Sequence, residues 1–173
     1  HTKSGLEPDE HSRRKLLFAQ RVAMYFETRP WTTDVELKEA VKGVLESKHE
    51  TPAMTELAKV RALLSRAKIA ALTEQVEKFE AQGEPLVVFC QHVAVLEQVF
   101  EDRVGWGLYT GKVSQKARDG IWQAFQKGET EHGIALSITA GAEGINLTRA
   151  GFELFVDRHF NPSKNKQARD RVL

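Results

Sequence analysis

Apolar positions along the chain keep two different rhythms, and the change falls near Gly83. Before it the spacing is helical. Residues 11–28 carry Leu16, Leu17, Gln20, Val22, Ala23, Tyr25 and Phe26 on a rough stripe that Pro30 stops. Thr33 and Glu36 have capping-box spacing, and they open a helix with Leu37, Val41, Val44 and Leu45 on one face. Thr51 followed by Pro52 predicts an N-cap with proline at the first helical position. Met54, Leu57, Val60 and Leu64 continue that helix, a break is expected at 65–68, and Ile69, Leu72, Val76 and Phe79 form the next stripe. Gly83 sits where a helix turns left-handed to end.

After Gly83, short strand segments alternate with helical stripes, the first of them, residues 86–90, a continuous apolar run. Residues 86–90, 107–110, 134–138 and 152–156 read as strands, the first as one buried on both faces. Helices are predicted over 92–103 (Val95, Leu96, Val99, Phe100 inward), over 115–127 behind a Ser114 cap (Ile121, Trp122, Phe125 inward), and from Asn161 and Pro162 to the last residue. Strand–helix alternation predicts right-handed crossovers and a parallel sheet with helices on both faces. Ligands of such sheets bind beyond the carboxyl ends of the strands. Residues 90–92, 110–112, 137–146 and 157–161, with the last helix, are therefore expected on one rim.

Composition narrows the possibilities. The chain has 173 residues, 41% of them hydrophobic, enough for a core. One cysteine, Cys90, excludes a disulfide framework and a cysteine-rich zinc site. The six histidines have no metal spacing. No run is apolar enough to span a membrane and the first residues lack a signal-peptide core, so an intracellular setting is expected. The net charge is +1, which excludes a bulk basic footprint, and cations concentrate only at Arg158, Lys164, Lys166, Arg169 and Arg171.

Candidate chemistry lies on the rim. Gly141 and Gly144 let a phosphate approach backbone amides, with Ser137 and Thr139 as further donors; a plain strand-to-helix turn is the alternative. Thr110, Gly111, Lys112 and Ser114 superficially resemble a phosphate-binding P-loop. Trp106 stands where that loop needs its first glycine, however, and Val113 separates the lysine from the serine. Either a single phosphate contact by Lys112 or a turn into a capped helix fits. Gln91 and His92 at a strand end can bond phosphate or simply face water. Gln167 and Arg171, four apart, share a helix face suited to a transferring phosphoryl group, unless that helix is only solvated.

Together these residues resemble the second motor lobe of Swi/Snf-type superfamily 2 helicase-like ATPases. Residues 87–92 are similar to motif IV, 108–111 to the next strand and turn, 137–150 to motif V with Ala142, Glu143 and Arg149 as unusual choices, and 160–171 to the start of motif VI. Residues 54–83 resemble the helical lead-in, with Lys68 at a recurrent basic position, and the Ser-Ile-Thr-Ala-Gly run leans toward the annealing-helicase-like branch. The resemblance covers about 52–173 and implies an α/β, parallel-sheet, RecA-like (P-loop NTPase-type) helicase C-terminal lobe with an α-helical N-terminal appendage. Its expected parts are a helical protrusion or insertion over 1–51, the helical lead-in over 52–83, and the lobe over 84–173, truncated within motif VI.

Function follows as an expectation. The resemblance implies the second lobe of an ATP-dependent double-stranded-DNA translocase of the chromatin- or fork-remodelling kind, partnered by the first motor lobe and by DNA. Gly144, Gln167 and Arg171 would serve ATP, Gln167 and Arg171 in catalysis. Gln91, His92, Thr110, Gly111, Lys112, Ser137 and Thr139 would hold DNA phosphates. Mg²⁺ would be bound by the first lobe, with no metal ligand in this chain. The family's second motif VI arginine and its Walker A lysine are not in the sequence, so the chain alone is expected not to hydrolyse ATP. The expected location is the cytoplasm or nucleoid of a bacterial or phage system, or the nucleus of a eukaryote. Phe160 replaces the family's usual tryptophan. Three alternatives stand. One is a non-hydrolysing nucleic-acid-binding lobe. Another is an RNA helicase lobe, against which Asp170 stands where such lobes carry glycine. The third is a doubly wound nucleotide enzyme, which would want a glycine-rich turn after residue 90.

Overall fold

The computed structural model describes residues 9–27, 35–141 and 145–172. The chain forms two compact units, His1–Leu64 and Ser65–Leu173.

The first unit is helical: α1 (Glu10–Glu27), α2 (Val35–Glu46) and most of α3 (Glu50–Ala67). Its core is built from Ala19, Ala23, Leu37, Ala40, Val41, Val44, Ala53, Leu57 and Val60, at i, i+3 and i+4 spacing along each helix. The inward stripe of α1 differs from the expected one, because Leu17 is 54% exposed while Ala19 and Ala23 are fully buried. Gln20 Nε2 donates to the carbonyls of Leu45 (3.5 Å) and Ser47 (3.1 Å), satisfying the end of α2. The start of α3 is also corrected. The Ala53 amide donates to the His49 carbonyl, so Thr51 and Pro52 lie inside the first turn and Thr51 is not the cap. Proline is tolerated there because first-turn amides have no helical acceptor. The expected capping box at Thr33 and the stop at Pro30 lie outside the described residues.

The second unit is α/β. The break falls at Lys68, between α3 and α4 (Ile69–Gln82). Gly83, at φ 68°, ends α4 with its amide on the Glu80 carbonyl, as expected. Four strands follow: β1 (Leu86–Cys90), β2 (Trp106–Tyr109), β3 (Gly133–Ser137) and β4 (Phe152–Phe155). They pair in parallel in the order β2-β3-β1-β4. Between them lie α5 (Val93–Phe100), α6 (Gln115–Lys127) and the short α7 (Ile138–Gly141), and α8 (Pro162–Arg169) follows β4. Ser114 caps α6 by accepting the Ala117 amide.

Strand alternation sends successive side chains to opposite faces. Val87, Phe89, Tyr109, Ile134 and Leu136 pack with Phe125 of α6, Ile138 of α7 and Ala168 of α8. Leu86, Val88, Cys90, Trp106 and Ala135 pack with Leu72 and Val76 of α4 and Val95, Leu96 and Phe100 of α5. Two helices are shorter than their apolar spacing predicts. After α5 the chain must turn back, and Gly105 makes that turn at φ 79°. Arg103 in the same turn is held by Glu80, which accepts Nε at 2.6 Å, Nη2 at 2.7 Å and Trp106 Nε1 at 2.7 Å. These bonds, the Arg103 contact foremost, hold the Glu80 carboxyl below its ordinary pKa. The last helix ends at Arg169, not at the chain's final residue, and its terminal turns tighten: Arg171 bonds Ala168 and Val172 bonds Arg169. Among the described residues, no helix is long and apolar enough to cross a membrane.

Gly133 leaves no room for a side chain. A methyl group there would lie 2.2 Å from the Leu86 carbonyl oxygen and 2.8 Å from the Trp106 ring. Gly133→Ala is therefore expected to lower stability by about 1–3 kcal/mol or more by overpacking. Its urea midpoint should fall well below that of Gly111→Ala, where the added carbon meets nothing within 4 Å. Equal midpoints would contradict the register Leu86↔Gly133.

Candidate functional site

The carboxyl ends of four adjacent parallel strands make a rim roughly 14 Å across, given a strand spacing of about 4.8 Å. In spatial order it carries residues 110–112, 137–139, 91–92 and 157, following β2, β3, β1 and β4.

At the β1–β4 end the rim is tied by polar contacts. The Gln91 amide donates to the Asp157 carboxylate, whose second oxygen lies 3.7 Å from His92 Nε2. Lys68 Nζ donates to the Val156 carbonyl at 2.8 Å, so the recurrent basic position of the lead-in pins the end of β4. Cys90 lies 3.5 Å from Ser65 Oγ and is also 3.5 Å from the His92 carbonyl. Burial, with help from the Asp157 charge, pushes its thiol up to about 12, so it stays neutral. The sequence alone gives Asp157 no role beyond its place on the rim. A carboxylate just past a strand end was a visible signal, but its partners lie 65 and 66 residues away in the chain.

At the β2 end the predicted group separates. Thr110 is 1% exposed, and its carbonyl accepts the Val113 amide. Gly111 and Lys112 are exposed, and Lys112 Nζ meets both Glu97 oxygens at 2.7 and 2.9 Å. At the end of β3, Ser137 is 5% exposed and accepts the Ala140 amide at 3.4 Å, so its hydroxyl serves the first turn of α7, while Thr139 is exposed. Gly144 lies outside the described residues. Gln91 and His92 are half-buried.

The expected common helix face of Gln167 and Arg171 is corrected by the helix end. Gln167 is in α8 and Arg171 lies in the tightened turn beyond it. The Arg171 carbonyl accepts the amide of Leu147 at 2.6 Å, which ties this turn to the segment after α7. No side-chain hydrogen bond or ion pair engages Gln167 or Arg171 among the described residues. A guanidinium with its five donors unspent, on an anchored backbone, fits the oxygens of a triphosphate. Among the described residues, no group of three or more His, Cys, Asp or Glu is placed to hold a metal ion.

Arg149, an unusual choice by sequence, has a structural task. Its Nη1 donates to the carbonyls of Phe125 (3.1 Å) and Thr130 (2.6 Å), and its guanidinium lies 5.3 Å from the Phe125 ring centroid. It thereby satisfies a carbonyl at the end of α6.

Comparison with known proteins gives a consistent answer. The helicase conserved C-terminal domain family matches residues 67–173. A SWI/SNF-related matrix-associated actin-dependent regulator of chromatin subfamily A-like protein 1 homolog from Caenorhabditis elegans is 31% identical over 136 residues, 74% of this chain and 19% of that protein. The ATP-dependent helicase fft2 of Schizosaccharomyces pombe is 30% identical over 113 residues, 63% of this chain and 9% of that protein. The chain thus spans under a fifth of the length of these relatives. Among solved structures, the C-terminal part of the Fun30 ATPase domain aligns with a TM-score of 0.53 and 20% identity, covering 91% of this chain and 56% of that one. The Sulfolobus solfataricus SWI2/SNF2 ATPase C-terminal domain aligns with a TM-score of 0.52 and 22% identity, covering 88% and 70%.

Proposed function

Because the chain belongs to the helicase conserved C-terminal domain family, with relatives of the SWI/SNF kind, we propose that it works as the second motor lobe of an ATP-dependent double-stranded-DNA translocase. Its parallel sheet covered on both faces is a RecA-like lobe. The observation that carries the functional reading is Arg171, whose backbone is anchored to Leu147 while its side chain has no hydrogen-bond or ion-pair partner among the described residues.

ATP sits between this lobe and a first lobe. When bound, the triphosphate with its Mg²⁺ supplies the phosphoryl group to be transferred, and the Mg²⁺ donors come from the first lobe. Arg171 and Gln167 face the γ-phosphate, the arginine stabilising charge on the transferring group and the glutamine orienting the attacking water. Gly144 is proposed to couple the ATP site to DNA. The rim between β2 and β4 follows the phosphates of one DNA strand. Such contacts hold register without reading sequence. Gly111, Lys112 and Thr139 are exposed enough to touch phosphate directly. The buried Thr110 and Ser137 support the turns that present them.

Lys112 tests the DNA track. It must leave Glu97 to reach a phosphate, and an exposed ion pair of that kind costs little to break. Duplex affinity of the chain should fall steeply with salt. Lys112→Ala should weaken binding equally for all sequences and shrink the log–log salt slope by about 1. Glu97→Gln should leave that slope unchanged and tighten binding at low salt. An unchanged slope in Lys112→Ala, or a loss that depends on DNA sequence, removes Lys112 from the track.

A further inference from the structure

The segment 145–149 belongs to no helix or strand, yet Leu147 within it is fully buried. Buried backbone groups must find partners, and here α6 side chains supply them. Trp122 and Gln126, one helical turn apart, both donate to the Asn146 carbonyl, from Nε1 at 2.8 Å and from Nε2 at 3.0 Å. Gln126 also reaches the other end of the segment. Its Nε2 lies 3.3 Å from Thr148 Oγ1, and its Oε1 accepts the Arg149 amide at 3.3 Å. One side-chain amide therefore holds the backbone on both sides of Leu147. The Leu147 amide in turn donates to the Arg171 carbonyl at 2.6 Å.

We propose that Gln126, aided by Trp122, is a positioning residue that sets the height of residues 146–149 and, through the Leu147–Arg171 bond, the place from which Arg171 reaches the triphosphate. The proposal rests on the reading of Arg171 as an ATP-site residue. Neither Gln126 nor Trp122 touches nucleotide. Their effect is geometric, and a displacement of about 1 Å at a reacting group can cost about 10²-fold in rate. The chain of contacts also gives α6 a mechanical hold on the ATP site, since anything that shifts the second half of that helix shifts Asn146 and then Arg171.

Gln126→Glu keeps the shape and one acceptor oxygen but removes both N–H donors, setting a carboxylate against the Asn146 carbonyl. Trp122→Phe keeps a smaller aromatic ring and removes the indole N–H. In the 173-residue chain, amide hydrogen exchange at Leu147 should quicken about 10-fold in Gln126→Glu and less in Trp122→Phe, from loss of hydrogen bonds of ordinary strength. Exchange at Val88, at the centre of β1, should not change. The protection factor at Leu147, corrected for intrinsic rate, should recover in Gln126→Glu as pH falls through the carboxyl range and the acid regains a donor. In the two-lobed enzyme the same variant should lose about 10²-fold in kcat, with KM for ATP and nucleotide-free DNA affinity within about twofold of wild type.

Unchanged Leu147 exchange overturns the clamp itself. Equal quickening at Leu147 and Val88 overturns it too, because it marks general loosening. Quickened Leu147 exchange with kcat unchanged, in an enzyme that does lose activity on Arg171→Ala, overturns the link to catalysis. An enzyme indifferent to Arg171→Ala refutes the ATP-site reading separately, and the catalytic half of the proposal with it.

Discussion

In the two-lobed enzyme, Arg171→Lys is expected to lower kcat by about 10³-fold or more, the range in which an arginine at a transferring phosphoryl group acts. DNA affinity measured without nucleotide should stay near wild type. Lysine keeps the charge but loses the planar fork that matches phosphate oxygens. The substitution is clean, because the bond that anchors residue 171 runs from the Leu147 amide to a main-chain carbonyl and survives any side-chain change. The melting temperature should accordingly be unaffected. A solvated Arg171 predicts no change in kcat or affinity. A role on the DNA track predicts weakened binding with kcat restored at saturating DNA, and that restoration would overturn the assignment.

The largest stability effect is expected at Phe89. It is fully buried in β1, stacks on Phe155 with ring centroids 4.9 Å apart, and lies against Gly141, where an added methyl group would stand 3.1 Å from its ring. Phe89→Ala should cost about 3–5 kcal/mol, a large part of the roughly 5–15 kcal/mol that holds a domain together. Phe155→Ala, in half-buried edge strand β4, should cost clearly less. Urea unfolding of the two variants measures the difference. Near-equal losses would mean that β1 is not the centre of the sheet.

Strands were the legible part of the sequence. Residues 86–90 are a continuous apolar run, and 134–138 are apolar but for Ser137, because both faces of β1 and β3 are covered, and the observed strands match them to within one residue. Caps with local chemistry were also legible. Ser114, Gly83 and Asn161 each act within three or four residues of themselves. Contacts between distant segments were not. Residues 170–173 hold neither glycine nor proline, so no local signal marks the helix end at Arg169. The tightened turn there goes with the Leu147 amide, 24 residues earlier. The inward turn of the Thr110 and Ser137 hydroxyls was equally hidden, because a polar residue at a strand end can face either way. Gln126 offered no signal at all: a glutamine on the flank of an amphipathic helix reads as solvated, and only the path of residues 146–149 gives it a task.

The strand order β2-β3-β1-β4 has a consequence for how the chain assembles on the ribosome. Among the described residues β1 bonds to β3 and β4, and β2 to β3 alone, so within this sheet neither early strand has its neighbour until β3 is made. Roughly 40 residues separate the end of β1 from β3. At a synthesis rate of about 5–20 residues per second, the run Leu86 to Cys90 waits for several seconds unpaired. Five consecutive apolar residues without charge or proline are the kind of segment that pairs with its own copies. The helices on either side, made from contacts close in sequence, can form during that interval and shield one side of the run, α4 from before it and α5 from after it. Yield of soluble protein should therefore depend on α4 and α5 more than their share of the finished structure suggests.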